Sequence, residues 1–161
     1  MIPMLVASTL SGLPPSEAVL QAYHLACNVG QLQLDPSEVE VIDGKHRPTP
    51  GRLDEWGRPT KITSLRLKYP RKTYIFIAEY EPRYAPQMAR VCEVYSGAIT
   101  REDAERGFLS AVQKPMKNWP YSSRFSNSFE IDRPKEGFKK RLILFETGWV
   151  IMETGLYKAP H

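Results

Sequence analysis

Ile62-Thr63-Ser64-Leu65-Arg66-Leu67-Lys68-Tyr69, Pro70-Arg71-Lys72, Thr73-Tyr74-Ile75-Phe76-Ile77-Ala78-Glu79-Tyr80 and, past a proline-bearing loop, Ala89-Arg90-Val91-Cys92-Glu93-Val94-Tyr95 is the stretch that decides the fold. Side chains alternate with period two, and β-branched and aromatic residues dominate. A short break carrying Pro70 separates the first two runs. The pattern predicts a β-hairpin followed by a third strand. In the first run Leu65, Leu67 and Tyr69 share one face, with Ser64, Arg66 and Lys68 on the wetter side. The second run is apolar on both faces, which predicts a central strand covered on both sides, most simply by a helix on one of them.

Toward the N-terminus, Pro14-Pro15-Ser16-Glu17 opens a helix. Ser16 is the expected N-cap, and Glu17 suits the positive end of the helix dipole. Val19, Leu20, Tyr23, Ala26 and Cys27 recur at helical spacing, and Gly30 is a natural stop. A short edge strand over Val39–Ile42 follows Asp35-Pro36. Before the helix, residues 1–13 read as an apolar tail. The alternative is a truncated signal peptide, although the basic n-region of such a peptide is missing.

Toward the C-terminus, Thr100 caps a second helix with Asp103 as the reciprocal acid. Ala104, Phe108, Ala111 and Val112 form its buried stripe, Gly107 suggests a close helix–sheet approach, and Pro115 ends it. Ser128–Asp132, Arg141–Phe145 and Trp149–Met152 then read as strands, the last two joined by a tight Thr147-Gly148 turn. The expected order is α-β-βββ-α-βββ. The fold class is α+β: one antiparallel sheet of six to seven strands with two helices packed on one face.

A chain of 161 residues with 42% hydrophobic and 25% charged residues suits one domain with a real core over 1–161. No apolar run approaches the roughly 20 residues of a membrane-spanning helix. Net charge is +4, unevenly placed. Residues 1–43 carry five acids and no Lys or Arg, 44–72 nine bases against two acids, and 114–141 eight bases against three acids. Two long segments, 44–61 and 114–127, hold many of these bases among prolines and aromatics. Loops of that length usually have a function. If the basic blocks merge into one patch they would attract an anionic partner.

Catalytic signatures are missing: the chain has no GxSxG, P-loop, GxGxxG before a helix, HExxH or CxxC. Asp54 and Glu55 are adjacent carboxylates, but Arg52 and Arg58 flank them as ready ion partners. His24 and Cys27 have a spacing that could share a metal, yet the remaining ligands would have to come from Cys92 and the distant His46 or His161. No cofactor is expected. Cys27 and Cys92 are the only cysteines. Both are expected in the core, where they either bond to each other or remain two ordinary buried thiols, the commoner outcome.

The leading expectation is therefore a non-enzymatic interaction protein that docks on a larger protein assembly or an acidic partner. Trp56, Trp119 and Tyr121 would anchor it, with Arg52, Arg58, Arg66, Lys68, Arg71, Lys72, Lys117 and Arg124 as the charged rim. The alternative is a nucleic-acid binder that uses the merged basic patch and stacks bases on its aromatics. A small exported disulfide-containing domain, or a small ligand-binding or enzyme domain with a pocket between sheet and helices, is the third reading. The compartment is left open.

Overall fold

The fold is described here from a computed structural model, covering residues 9–28, 32–42, 59–81, 83, 87–110 and 126–158, without the side chains of 126 and 127. Seven strands form one antiparallel sheet. They are β1 (Val39–Val41), β2 (Lys61–Leu67), β3 (Thr73–Glu79), β4 (Met88–Ser96), β5 (Ser126–Arg133), β6 (Phe138–Phe145) and β7 (Val150–Tyr157). Their spatial order is β1-β2-β3-β4-β7-β6-β5. Two meanders, β1 to β4 and β5 to β7, thus meet where the last strand of each pairs with the other. The helices α1 (Pro15–Tyr23) and α2 (Arg101–Ser110) contact the sheet, as the α+β reading requires.

The register sorts side chains by face. Leu65, Ile75, Val94, Met152, Leu142 and Phe129 lie in one lateral row across β2-β3-β4-β7-β6-β5. This row packs with Ala18, Val19, Ala22 and Tyr23 of α1 and with Ala104 and Phe108 of α2 in one hydrophobic cluster. A smaller cluster, Phe76, Ala78, Tyr80, Met88 and Val91, occupies the opposite face. Strand β3 is therefore covered on both faces. It is not the middle strand, however. That place belongs to β4, with three strands on either side.

Local chemistry corrects several expectations. Helix α1 begins two residues earlier than a Ser16 cap requires, because Pro15 already has the φ that the first helical position needs. Its N-cap is Pro14, with no side-chain cap. Ser16 lies inside the helix, and its Oγ accepts a hydrogen bond from Thr100 N at 3.3 Å, tying the start of α1 to that of α2. Thr100 does cap α2, its Oγ1 accepting from Asp103 N at 3.1 Å. Side-chain hydrogen bonds from Thr100 and then Ser16 to the Asp103 carboxyl hold it below its ordinary range. A Cβ built on Gly107 would come within 2.4 Å of Leu20 Cδ2, so the glycine serves a helix–helix approach, not a helix–sheet one. Ser64, expected on the wet face, is buried.

The chain past α1 continues as a π-helical turn over His24–Asn28. Gly30 lies outside the described residues, as do Ala111, Val112 and Pro115 after α2. The three C-terminal strands are longer than their alternation suggested. β5 begins at Ser126, inside the segment expected to be a loop, and β7 continues past Met152 to Tyr157. The Gly137 and Gly148 φ angles of 86° and 88° give the two C-terminal hairpins turn conformations that side chains with a Cβ resist.

Cys27 and Cys92 are bonded to each other rather than being separate thiols, with their Cα atoms 5.3 Å apart and a separation of 65 positions in sequence. The bond fixes the π-helical turn to the middle strand. On the chain-entropy estimate a loop of this length contributes about 4 kcal/mol.

Phe76 is 2% exposed and anchors the second-face cluster. Phe76→Ala should lower unfolding free energy by about 3–5 kcal/mol in urea melts. An unchanged midpoint would show that this face contributes no core.

Candidate functional site

The face of the sheet opposite the helices carries most of the chain's unusual chemistry. Three lateral rows cross it. At one end Arg66, Tyr74, Tyr95, Ile151 and Ile143 stand in register across β2-β3-β4-β7-β6. In the middle run Ser64, Phe76, Glu93, Glu153, Arg141 and Glu130. At the other end are Ala78, Val91, Gly155, Lys139 and Asp132.

The middle row is a buried ionic strip. Glu93 is 1% exposed, Glu153 2% and Arg141 6%. Arg141 Nε lies 3.1 Å from Glu130 Oε2 and 3.8 Å from Glu153 Oε1. Lys139 Nζ adds a contact of 3.0 Å to Glu130 Oε1. At the margin of the strip the Tyr157 hydroxyl donates to Asp132 Oδ1. Burial and that nearby carboxylate push the Tyr157 phenol well above its usual range. Ion pairs taken out of water roughly break even in net stability, but removing one member strands the other charge. Carboxylates this deep have no surface at which to meet a substrate, so the strip reads as part of the sheet's architecture.

Sequence reasoning did not find this strip. Arg141 and Glu130 each alternate in an apparently ordinary strand. Glu153 falls beyond the predicted end of its strand, so its register with Glu93 had no basis. The available signal was Glu93 itself, an acid between Cys92 and Val94 in a run otherwise fit for burial.

The aromatic end differs in character. Tyr95 and Trp149 rings stack with centroids 4.4 Å apart and planes at 13°. Phe145 meets Tyr95 edge-on at 6.4 Å. Three indole atoms of Trp149 lie 3.1–3.3 Å from where a Cβ on Gly97 would stand, so the indole's other face rests on Gly97. The indole is held between a ring and a glycine. Gly97 N also donates to Lys72 O at 2.9 Å, which brings the turn between β2 and β3 against the same group. Burial, then the Glu93 charge, raises the Tyr95 phenol above its ordinary value.

Four of the bases singled out from sequence meet at this end. Arg66 is exposed and opposite Tyr74. Its guanidinium binds Glu40 on β1, with Nη2 2.5 Å and Nε 3.0 Å from Oε2. That bond holds the Glu40 carboxyl low and the Arg66 guanidinium high. Lys68, Arg71 and Lys72 are exposed in the connection that follows β2. Lys72 has a φ of 60°, a left-handed conformation that keeps the turn tight beside Gly97. Arg52, Trp56, Arg58, Lys117, Trp119, Tyr121 and Arg124 lie outside the described residues.

On the helix side, Cys27 and Cys92 are in a disulfide, so neither sulfur can act as a nucleophile or metal ligand while the bond stands. Tyr23 OH pairs with Thr154 Oγ1 beside them. Burial, then the charge of Lys140, lowers the His24 imidazole below its usual range. Among the described residues no group of three or more His, Cys, Asp or Glu side chains could hold a metal. None of the described helices is long and apolar enough to cross a membrane.

Comparison with known proteins finds no matching family model, no curated relative and no similar solved structure.

The indole clamp makes a sharp expectation. Gly97→Ala pushes a methyl into the Trp149 ring face, and overpacking of this kind costs about 1–3 kcal/mol. Chemical denaturation should show that loss, and Gly97→Ala combined with Trp149→Leu should recover part of it. Wild-type stability in Gly97→Ala would mean that the indole moves aside freely.

Proposed function

We propose that this protein is a non-catalytic interaction module that docks on an acidic protein partner, or on an acidic region of a larger assembly. The β2–β3 end of its sheet would be the docking surface. The observation that carries the reading is the continuity of that end: Arg66, Tyr74 and Tyr95 follow one another across the sheet, Trp149 stacks on Tyr95, and the Lys72 backbone closes on Gly97 beneath the indole. Half-buried aromatics ringed by bases match the composition of binding hot spots and their rims.

The chemistry favours a protein over a nucleic acid at this surface. Nucleobase recognition on a single strand relies on a free ring face. Both faces of the Trp149 indole are occupied, one by Tyr95 and the other by Gly97. The indole is half-buried, which suits an anchor at a peptide surface. The bases supply steering and register, which is what rim charges do best.

The direct test is affinity purification from the source cells with the wild-type chain and with an Arg71→Glu/Lys72→Glu variant. Exposed substitutions in a turn leave the core intact, and near-ultraviolet circular dichroism would verify this. The expected result is a defined set of acidic proteins retained by the wild type and lost by the variant, with retention weakening as salt rises. Identical recoveries would remove the reading. A salt-sensitive gel shift with single-stranded DNA, abolished by the same variant, would replace it with the nucleic-acid reading.

A further inference from the structure

Beside the basic turn lies a cleft that shares Lys68 with the docking surface. It opens where the 3-10 turn Leu10–Gly12 meets the 3-10 turn Pro36–Glu38 and the residues leaving β2, and it has a volume of about 250 Å³. Its walls are backbone-tied. Leu10 N donates to Glu38 Oε1 at 2.7 Å, Lys68 N donates to Glu38 O at 3.0 Å, and Tyr69 OH donates to Leu13 O at 2.6 Å. Asp35 holds the second turn by accepting from Ser37 N and Ser37 Oγ at 2.9 and 2.8 Å.

Two opposite charges line this space, and they do not pair with each other. Among the described residues, Lys68 has no ion pair within 4 Å, its charge reaching Glu40 only from further off, and Glu38 has only the backbone N–H of Leu10 as its side-chain partner. Thr9 and Ser11 also line the cleft, and neither hydroxyl is bonded to another group among the described residues. The lining thus includes one cation and two hydroxyl residues able to donate, and one carboxylate able to accept. A bare anion would satisfy the first set and be repelled by the last. The complement is a ligand that places a carboxylate beside a hydrogen-bond donor within a few ångströms. A peptide offers that combination wherever a carboxylate neighbours a backbone N–H.

We propose that this cleft binds a peptide carboxylate, with Lys68 pairing the carboxylate, Thr9 and Ser11 donating to it, and Glu38 accepting the adjoining amide N–H. The inference rests on the docking reading only for the origin of the peptide, an acidic stretch or chain end of the partner. Lys68 is the residue that would couple the two, being next in sequence to the hairpin that carries Arg71 and Lys72.

The test is an NMR titration of the full-length, isotope-labelled protein with three small probes. N-acetylglycine presents a terminal carboxylate beside an amide N–H, and N-acetylaspartate N-methylamide presents a side-chain carboxylate beside one. N-acetylglycine N-methylamide is the neutral control. The expected result is saturable shifts of the Leu10, Glu38, Lys68 and Tyr69 amides with one or both carboxylate probes, at least about tenfold weaker for the neutral one, as loss of a charge-assisted pair requires. Which carboxylate probe binds identifies the source. Lys68→Met should abolish saturation, and Ser11→Ala should weaken it. Equal binding of the neutral probe, saturation by inorganic phosphate in place of the carboxylates, or no localised shift with any probe overturns the proposal. Arg71→Glu/Lys72→Glu should leave this titration unchanged, so failure of the docking reading and failure of the cleft register separately.

Discussion

The pairing of β4 with β7 is the constraint on which everything else in this structure depends. Each meander could form locally from hairpins. Only this long-range pairing, from Met88↔Tyr157 to Ser96↔Val150, turns two meanders into one sheet. It sets Val94 against Met152 on the helix side and Glu93 against Glu153 on the other. A one-residue slip would exchange these faces, placing carboxylates under the helices and apolar side chains in the ionic strip. The register is thus specified twice, by greasy contacts on one face and by Arg141 between Glu153 and Glu130 on the other.

The disulfide adds to this junction from above. Cys92 sits opposite Thr154 in the β4–β7 ladder, Cys27 bonds to the former, and Tyr23 of α1 bonds to the latter. Helix α1 is therefore anchored on both strands of the junction. Helix α2 is anchored partly through α1, by the bond from Thr100 N to Ser16 and by the contact of Leu20 over Gly107. Among the described residues, the basic aromatic end and the neighbouring cleft carry exposed polar chemistry away from these anchors. Both lie at the β2–β3 turn.

Much of the fold was legible because period-two alternation survives in β2, β3 and β4, and because Thr100 at a helix start has only one good local reading. What stayed hidden was whatever depends on partners distant in sequence. Ser16 looks like a cap until Pro15 is seen to begin the helix and Thr100 to claim its hydroxyl. The Tyr74–Tyr80 run looks central because both its faces are apolar, yet the second meander adds three strands beyond β4 and moves the middle there. The bases at 66, 68, 71 and 72 could be picked out as exposed, but not the Glu40 that neutralises Arg66. Trp149 was read only as a strand residue, since its clamp comes from Tyr95 and Gly97, more than fifty residues away in sequence.

Native-state hydrogen exchange tests the central claim most directly, because it ranks elements by the free energy needed to open them. If the β4–β7 pairing holds the two meanders together, the slowest amides will be those of Cys92–Val94 and Ile151–Glu153, opening only with global unfolding. They will respond to denaturant with the full slope of the equilibrium transition. Finding the slowest class confined to β2 and β3, with β4–β7 amides exchanging through a partial opening, would contradict it. The two meanders would then be separate units and the junction a consequence of their folding.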